Sequence, residues 1–236
     1  MAFTNTLGMV FKPVPETGVL FCIWETRVKD YAAYAAANAE VDGSWKEPAY
    51  FKRKGFKQAD THPVVAVRWN DAKAFCAWLT KKELTTGKIK AGQKYRLPTD
   101  AEWSLAVGLG KEKGNTPEEK HLGIKDVCPW GNEWPPPKGA GNYEPSLKVD
   151  EFDITAPVGS FAANQHGLYD LGGNVLEWCE DKYSPNRSWR VLRGASWGNA
   201  TPADLWSSNR HYITPNIQFF FIMAGFRCVL VGGSSG

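Results

Sequence analysis

The chain of 236 residues has only three methionines and four histidines, and its five cysteines include no CxxC pair. Cys22, Cys76, Cys128, Cys179 and Cys228 lack the paired spacing of a zinc site and are too sparse for a small disulfide scaffold, so buried free thiols are expected. There is no continuous stretch of the roughly 18 apolar residues that a helical membrane span needs, so no membrane insertion is expected. Lys and Arg form no stripe and the formal net charge is only +3, which gives no electrostatic case for nucleic acid. The opening MAFTNTLGMVFKPV lacks the basic start and apolar core of a secretory signal, which makes the cytoplasm the default expectation.

The most informative absence is local. From Gly198 to Ala224 there is neither Lys nor Glu, although both are plentiful upstream. The interval carries Trp206, His211, Tyr212, Ile213, Ile217 and the run Phe219 to Met223, between the regular flanks RVLRGASW (190–197) and GFRCVL (225–230). A run such as FFFIM is ordinarily a buried strand. Alternation in a strand would nevertheless put Phe219 and Phe221 on the face opposite Phe220, so one aromatic face needs a cover. A regular frame around an irregular aromatic interior therefore reads as a scaffold presenting a contact surface.

Apolar residues make up 43% of the chain, enough for a substantial core, and no Ser/Pro-rich spacer divides it. One domain is expected over 1–231, with 232–236 a flexible linker or tag remnant. Met9–Val14 and Val19–Thr26 read as a hairpin turning through Pro15–Gly18, and Arg27–Ala37 as a helix. Residues 42–60 read as loop. His62–Trp69 reads as a short strand, followed by a helix N-capped at Asn70-Asp71 with Ala72, Phe75, Cys76 and Leu79 on one stripe to about Glu83. Thr99 with Glu102 forms a capping box for the next helix. Residues 115–165, rich in Pro and Gly, read as an irregular segment that needs tethering by ions or packed aromatics.

Four segments, RLPTDAEW (96–103), GLYDLGGNVLEW (167–178), RVLRGASW and GFRCVL, resemble in order and spacing the formylglycine-generating-enzyme (sulfatase-modifying factor) family. The resemblance implies an α+β, C-type-lectin-like fold of that subtype, low in regular secondary structure, with the C-terminal strand pairing back to the N-terminal region. It also implies calcium held by the side chains of Asp170 and Glu177 and the carbonyls of Gly173 and Val175. Hard carboxylate oxygens with glycines that turn carbonyls toward a cation suit that ion. A second calcium site maps by the same resemblance onto Asn142, Tyr143, Asp150 and Phe152. The plain alternative for both is a solvated acidic loop or a helix cap.

Enzymatic members of the family bind copper through a pair of cysteines just after the RGASW segment, a choice that suits monovalent copper. The corresponding positions here are Asn199 and Asp204, neither of which supplies a thiolate, so no copper and no oxidase activity are expected. The chain also resembles the variable proteins of diversity-generating retroelements, whose variable region runs from an RGxSW-like start to a GFR-like end. Adenine-directed change of Asn codons reaches Phe, Tyr, Ile, His, Asp, Ala and Gly but never Lys or Glu. Gly198, Asn199, Ala200, Ala203, Asp204, His211, Tyr212, Ile213, Asn216, Ile217, Phe219, Phe220 and Phe221 fall within the reachable set, while Trp206 needs another origin. With Trp206 these residues, within about 198–224, form the expected recognition surface. The expected function is a non-enzymatic, monomeric binder of a protein ligand. The alternatives are a formylglycine-generating-type oxidoreductase and a sensor or scaffold domain of a larger protein with a fixed partner.

Overall fold

The structure, a computed structural model, describes residues 2–216 and 221–232, with the side chain of Phe221 outside that set. Its elements in chain order are β1 (Phe3–Thr4), β2 (Val10–Pro13), β3 (Leu20–Cys22), α1 (Val28–Ala37), α2 (Ala49–Lys54), α3 (Trp69–Thr85), β4 (Lys94–Arg96), α4 (Asp100–Val107), α5 (Pro117–Lys120), β5 (Leu176–Lys182), β6 (Arg190–Arg193), α6 (Pro202–Leu205), β7 (His211–Ile213), β8 (Ala224–Gly225) and β9 (Val229–Val231). Two curled sheets result, one ordered β1-β2-β3-β9-β4 and the other β7-β6-β5-β8. This mixed arrangement, low in regular secondary structure, is the α+β kind that the sequence resemblance implies.

The expected hairpin forms, with Phe11 opposite Cys22 and Pro13 opposite Leu20. β9 then inserts antiparallel between β3 and β4, with Leu20 facing Leu230 and Tyr95 facing the same residue from the other side. The last strand thus closes the sheet that the first strands open. In the second sheet β8 runs parallel to β5 and pairs Glu177 with Gly225. A side chain at 225 would meet the Val64 carbonyl at 2.7 Å, so this close approach requires glycine.

Helix α3 carries the expected stripe, and Ala72, Phe75, Cys76 and Leu79 are all buried. They pack with Tyr31 of α1, Tyr95 and Phe226; the Tyr31 and Phe75 rings stack at 5.9 Å. A second cluster lies between the sheets around Phe21, Trp103, Val191 and Val229. All five cysteines are free and buried. The Cys76 and Cys228 sulfurs approach to 3.5 Å inside the main core.

Several elements differ from the sequence reading. Residues 42–60 include α2, whose Phe51 packs under Trp197. The apolar run His62–Trp69 is not a strand, because Ala66 takes φ 57° and breaks the extended path. Val64, Val65 and Val67 are buried all the same. Helix α3 starts earlier than expected, with Arg68 as N-cap; Asp71, at the third helical position, accepts the Arg68 amide at 2.9 Å. The Thr99–Glu102 box forms as expected, both bonds being made. FFFIM does not form a strand through its described residues, since Phe221–Met223 is a 3-10 turn.

Candidate functional site

Buried charge assembles the frame. Asp100, at the start of α4, lies between two guanidiniums: Arg193 at the end of β6 reaches it at 2.6 Å, and Arg210, just before β7, at 3.0 Å. Arg210 also pairs with Glu112 at 2.5 Å, and none of the four side chains is more than 4% exposed. Burial pushes the Asp100 carboxyl up, but Arg193 and Arg210 outweigh it and hold the group below the usual carboxylate range. A second buried pair joins the other motifs: Arg227 holds Glu177 through Nη2 at 2.5 Å and Nε at 2.7 Å. Trp103 Nε1 donates to the same carboxylate at 3.1 Å, while the Arg193 guanidinium stacks over the Trp103 ring at 4.5 Å. All four recognisable segments therefore meet through Asp100, Trp103, Glu177, Arg193 and Arg227.

Against this frame the Lys- and Glu-free segment lines an open cavity of about 500 Å³. Asn199, Ala203, Asp204, His211, Tyr212 and Ile213 contribute to its walls. Sequence reasoning missed its other walls: His121 and Leu122 from the loop after α5, Leu176 and Leu192 from β5 and β6, and Asn209, Arg210, Met223 and Ala224. His121 bore no motif signal; its Nδ1 meets the Arg210 carbonyl at 2.9 Å, so the ion network sets its position. Burial lowers the pKa of both His121 and His211, and His211 Nε2 pairs with the Asn209 amide at 3.0 Å.

The remaining expected contact residues divide. Tyr212 is 44% exposed and stacks on Tyr183 at 3.9 Å and on Trp189 at 5.0 Å, so it stands at the edge of an aromatic cluster. Gly198 is half-buried beside Met223, whose flexible terminal methyl lies 2.4 Å from where a Cβ would stand. Trp206 is half-buried against the cluster of Cys128, Tyr143 and Leu205 and does not line the cavity. Ala200 is half-buried outside the cavity, and Asn216 is exposed with its Oδ1 accepting from Asn70 at 3.4 Å. Ile213 lines the cavity but also packs on the main core. Ile217, Phe219 and Phe220, and the side chain of Phe221, lie outside the described residues.

The expected calcium ligands are rearranged. Glu177 is spent: both oxygens bind Arg227 and one also accepts from Trp103, so its assignment as a calcium ligand is corrected. The Val175 amide donates to Glu25 at 3.2 Å, and the Gly173 amide to the Asp170 carbonyl at 3.5 Å. Asp150 caps its own loop by accepting the Tyr143 and Phe152 amides at 3.1 and 2.8 Å. By contrast, Asp170 Oδ1 and Asn142 Oδ1 are buried without partners, and both residues line one cavity of about 180 Å³. Burial raises the Asp170 pKa to about 6, against the opposing Gly159 hydrogen bond and the Arg227 charge. Two orphaned oxygens on one small cavity fit a hard cation. Among the described residues no three His, Cys, Asp or Glu side chains converge as a metal-binding group, so any ion there would draw on amide or carbonyl oxygens as well.

The family model of the sulfatase-modifying factor enzyme 1-like domain matches residues 16–231. The chain belongs to this family. It is 37% identical over 159 residues to the inactive C-alpha-formylglycine-generating enzyme 2 of Bos taurus, covering 65% of the chain and 44% of that protein. The formylglycine-generating enzyme of Thermomonospora curvata is 35% identical over 133 residues, covering 52% of the chain and 34% of the enzyme. The serine/threonine-protein kinase Pkn1 of Chlamydia trachomatis is 32% identical over 200 residues, 77% of the chain but 25% of the kinase. The family member thus spans less than half the length of these relatives. Among solved structures, PvdO from Pseudomonas aeruginosa superposes with a TM-score of 0.67 at 21% identity, over 98% of each chain. Treponema denticola variable protein 1 gives 0.67 at 19%, over 97% of this chain and 98% of that one. Among the described residues no helix is long and apolar enough to cross a membrane.

Proposed function

We propose that this family member is a non-enzymatic ligand-binding protein whose segment 198–224 supplies the recognition surface, of the kind displayed by variable proteins of diversity-generating retroelements, with a protein as ligand. The observation that carries the reading is the convergence of Asn199, Ala203, Asp204, His211, Tyr212 and Ile213 on one open cavity. An apolar floor with a polar rim suits recognition. Asn199 and Asp204 sit on its wall, at the positions where copper-binding relatives are expected to place thiolates, and no cysteine lines it among the described residues. Asn199 Oδ1 is occupied by the Ser196 amide and hydroxyl at 2.9 and 2.7 Å, which makes it a turn-forming residue. The inactive bovine relative and the fold shared with the treponemal variable protein support the same reading. A structural calcium ion belongs to the proposal at the Asp170–Asn142 cavity, with Glu177 excluded. The molecule is proposed to act as a monomer.

A fixed-partner domain of a larger polypeptide is the second reading, supported by the chlamydial kinase, of which the matched region is a quarter. Incubation with copper(I), oxygen and a cysteine-containing sulfatase-motif peptide is the direct test of the non-enzymatic claim. No aldehyde is expected, and turnover above a copper-only control would overturn it. A near-identical, adenine-rich copy of the DNA for residues 198–222 beside a reverse-transcriptase gene would separate diversification from a fixed partner.

A further inference from the structure

The recognition cavity has an unbalanced charge. Leu176, Leu192 and Met223 give it apolar floor, while Asp204 stands on the polar wall. Arg210 also lines it, but Arg193 and Arg210 face Asp100 and Glu112, so two guanidiniums meet two carboxylates and cancel. The two imidazoles add no compensating charge at neutral pH, because burial lowers both pKa values from a starting point already below 7. That leaves Asp204. Its Oδ2 accepts the Thr201 hydroxyl at 2.7 Å, and among the described residues no Lys or Arg pairs with it.

A half-open space of about 500 Å³ with an apolar floor and one uncompensated anion selects a particular chemistry. Long basic side chains match it, since their methylene stems bury on apolar surface while the charged head seeks an acceptor. A neutral side chain would fill the floor and leave the carboxylate to water. An acidic one would meet repulsion. Bonds between a cation and a carboxylate are roughly twice as strong as neutral ones, so the head group decides the choice. We propose that the cavity captures an arginine or lysine side chain of a protein partner, with its stem on Leu176, Leu192 and Met223 and its head on Asp204. The inference rests on the recognition reading and narrows it to one ligand class. Asp204 becomes the specificity-determining residue, on the segment proposed to vary.

The test uses the whole chain and three blocked amino acids, Nα-acetyl-argininamide, Nα-acetyl-norleucinamide and the α-amide of Nα-acetyl-glutamic acid with its side-chain carboxylate free, titrated by calorimetry and by NMR of the His121 and His211 imidazoles. The arginine probe should saturate, shift both imidazoles, and bind at least about tenfold tighter than norleucine, about 1.4 kcal/mol. Asp204→Asn should bring arginine to the norleucine level without moving the melting midpoint; Asp204→Ser gives the same reading should the first variant unfold. Norleucine or glutamate binding as tightly as arginine, or an arginine affinity untouched by the substitution, would retire the basic class while leaving a recognition cavity. If no probe moves either imidazole up to its solubility limit, the cavity itself is not the recognition site and both proposals fall.

Discussion

Asp100 shows how one side chain can hold several motifs in register. It is 2% exposed and receives Arg193, from just before the segment that lines the cavity, and Arg210, from the middle of it. A buried ion pair is a weak source of net stability, yet removing one partner strands the other charge. Asp100→Asn should therefore cost about 3–5 kcal/mol, as for other broken buried pairs. Tyr212→Ala, at an exposed site, should stay within about 1 kcal/mol. Urea unfolding of the two variants measures the difference, and similar losses would mean that Tyr212 belongs to the core. The sequence displayed these arginines and carboxylates inside apolar motifs, which is itself a signal, because such groups are seldom buried unless paired. It did not display which pairs form. The Glu177 carboxylate and the calcium donor set were confused for that reason: a carboxylate beside glycines looks the same whether it faces a cation or a guanidinium from residue 227.

At the scale of elements, local rules were legible and tertiary ones were not. The hairpin, α1, α3 and the Thr99 capping box follow from turn residues, periodicity and side-chain caps, all written within a few positions. The run from His62 failed because its burial is imposed from outside while the backbone turn at Ala66 forbids a ladder. The GLYDLGGNV loop is the element whose stability depends on more than its own residues. Asp170 and Asn174 both take positive φ, 61° and 67°, and two oxygens on its cavity lack partners. A cation bound only by the folded state would raise stability through linkage. Adding calcium should thus raise the melting midpoint over that in chelator, and Asp170→Asn should remove most of the gain. An unchanged midpoint in both proteins would leave the loop tethered by hydrogen bonds alone.

For the whole molecule, the closure of β9 between β3 and β4 and the buried charge network make a rigid frame from the chain's two ends, and the cavity is what that frame leaves open. Its two histidines tie folding to pH. Burial lowers the pKa of His121 and of His211, so the folded state binds fewer protons than the unfolded chain as the pH falls. Their contribution to stability is complete above the ordinary imidazole pKa of about 6.5 and is lost as the pH drops through the folded values. Half-buried carboxylates such as Asp181, whose pKa burial raises, act in the opposite direction at lower pH, so the total curve does not isolate the effect. The double variant His121→Asn/His211→Asn does. Its midpoint relative to the wild type should rise on going from pH 7.5 to 5.5, by a few degrees if the linkage amounts to about 1 kcal/mol. Where the pH falls far enough to protonate the folded imidazoles themselves, positive charge joins Asp204 on the cavity wall, so binding of the arginine probe should weaken in the wild type and hold in the double variant. A constant gap in midpoint across that range would show that the imidazoles titrate alike in both states and that the cavity admits water freely around them.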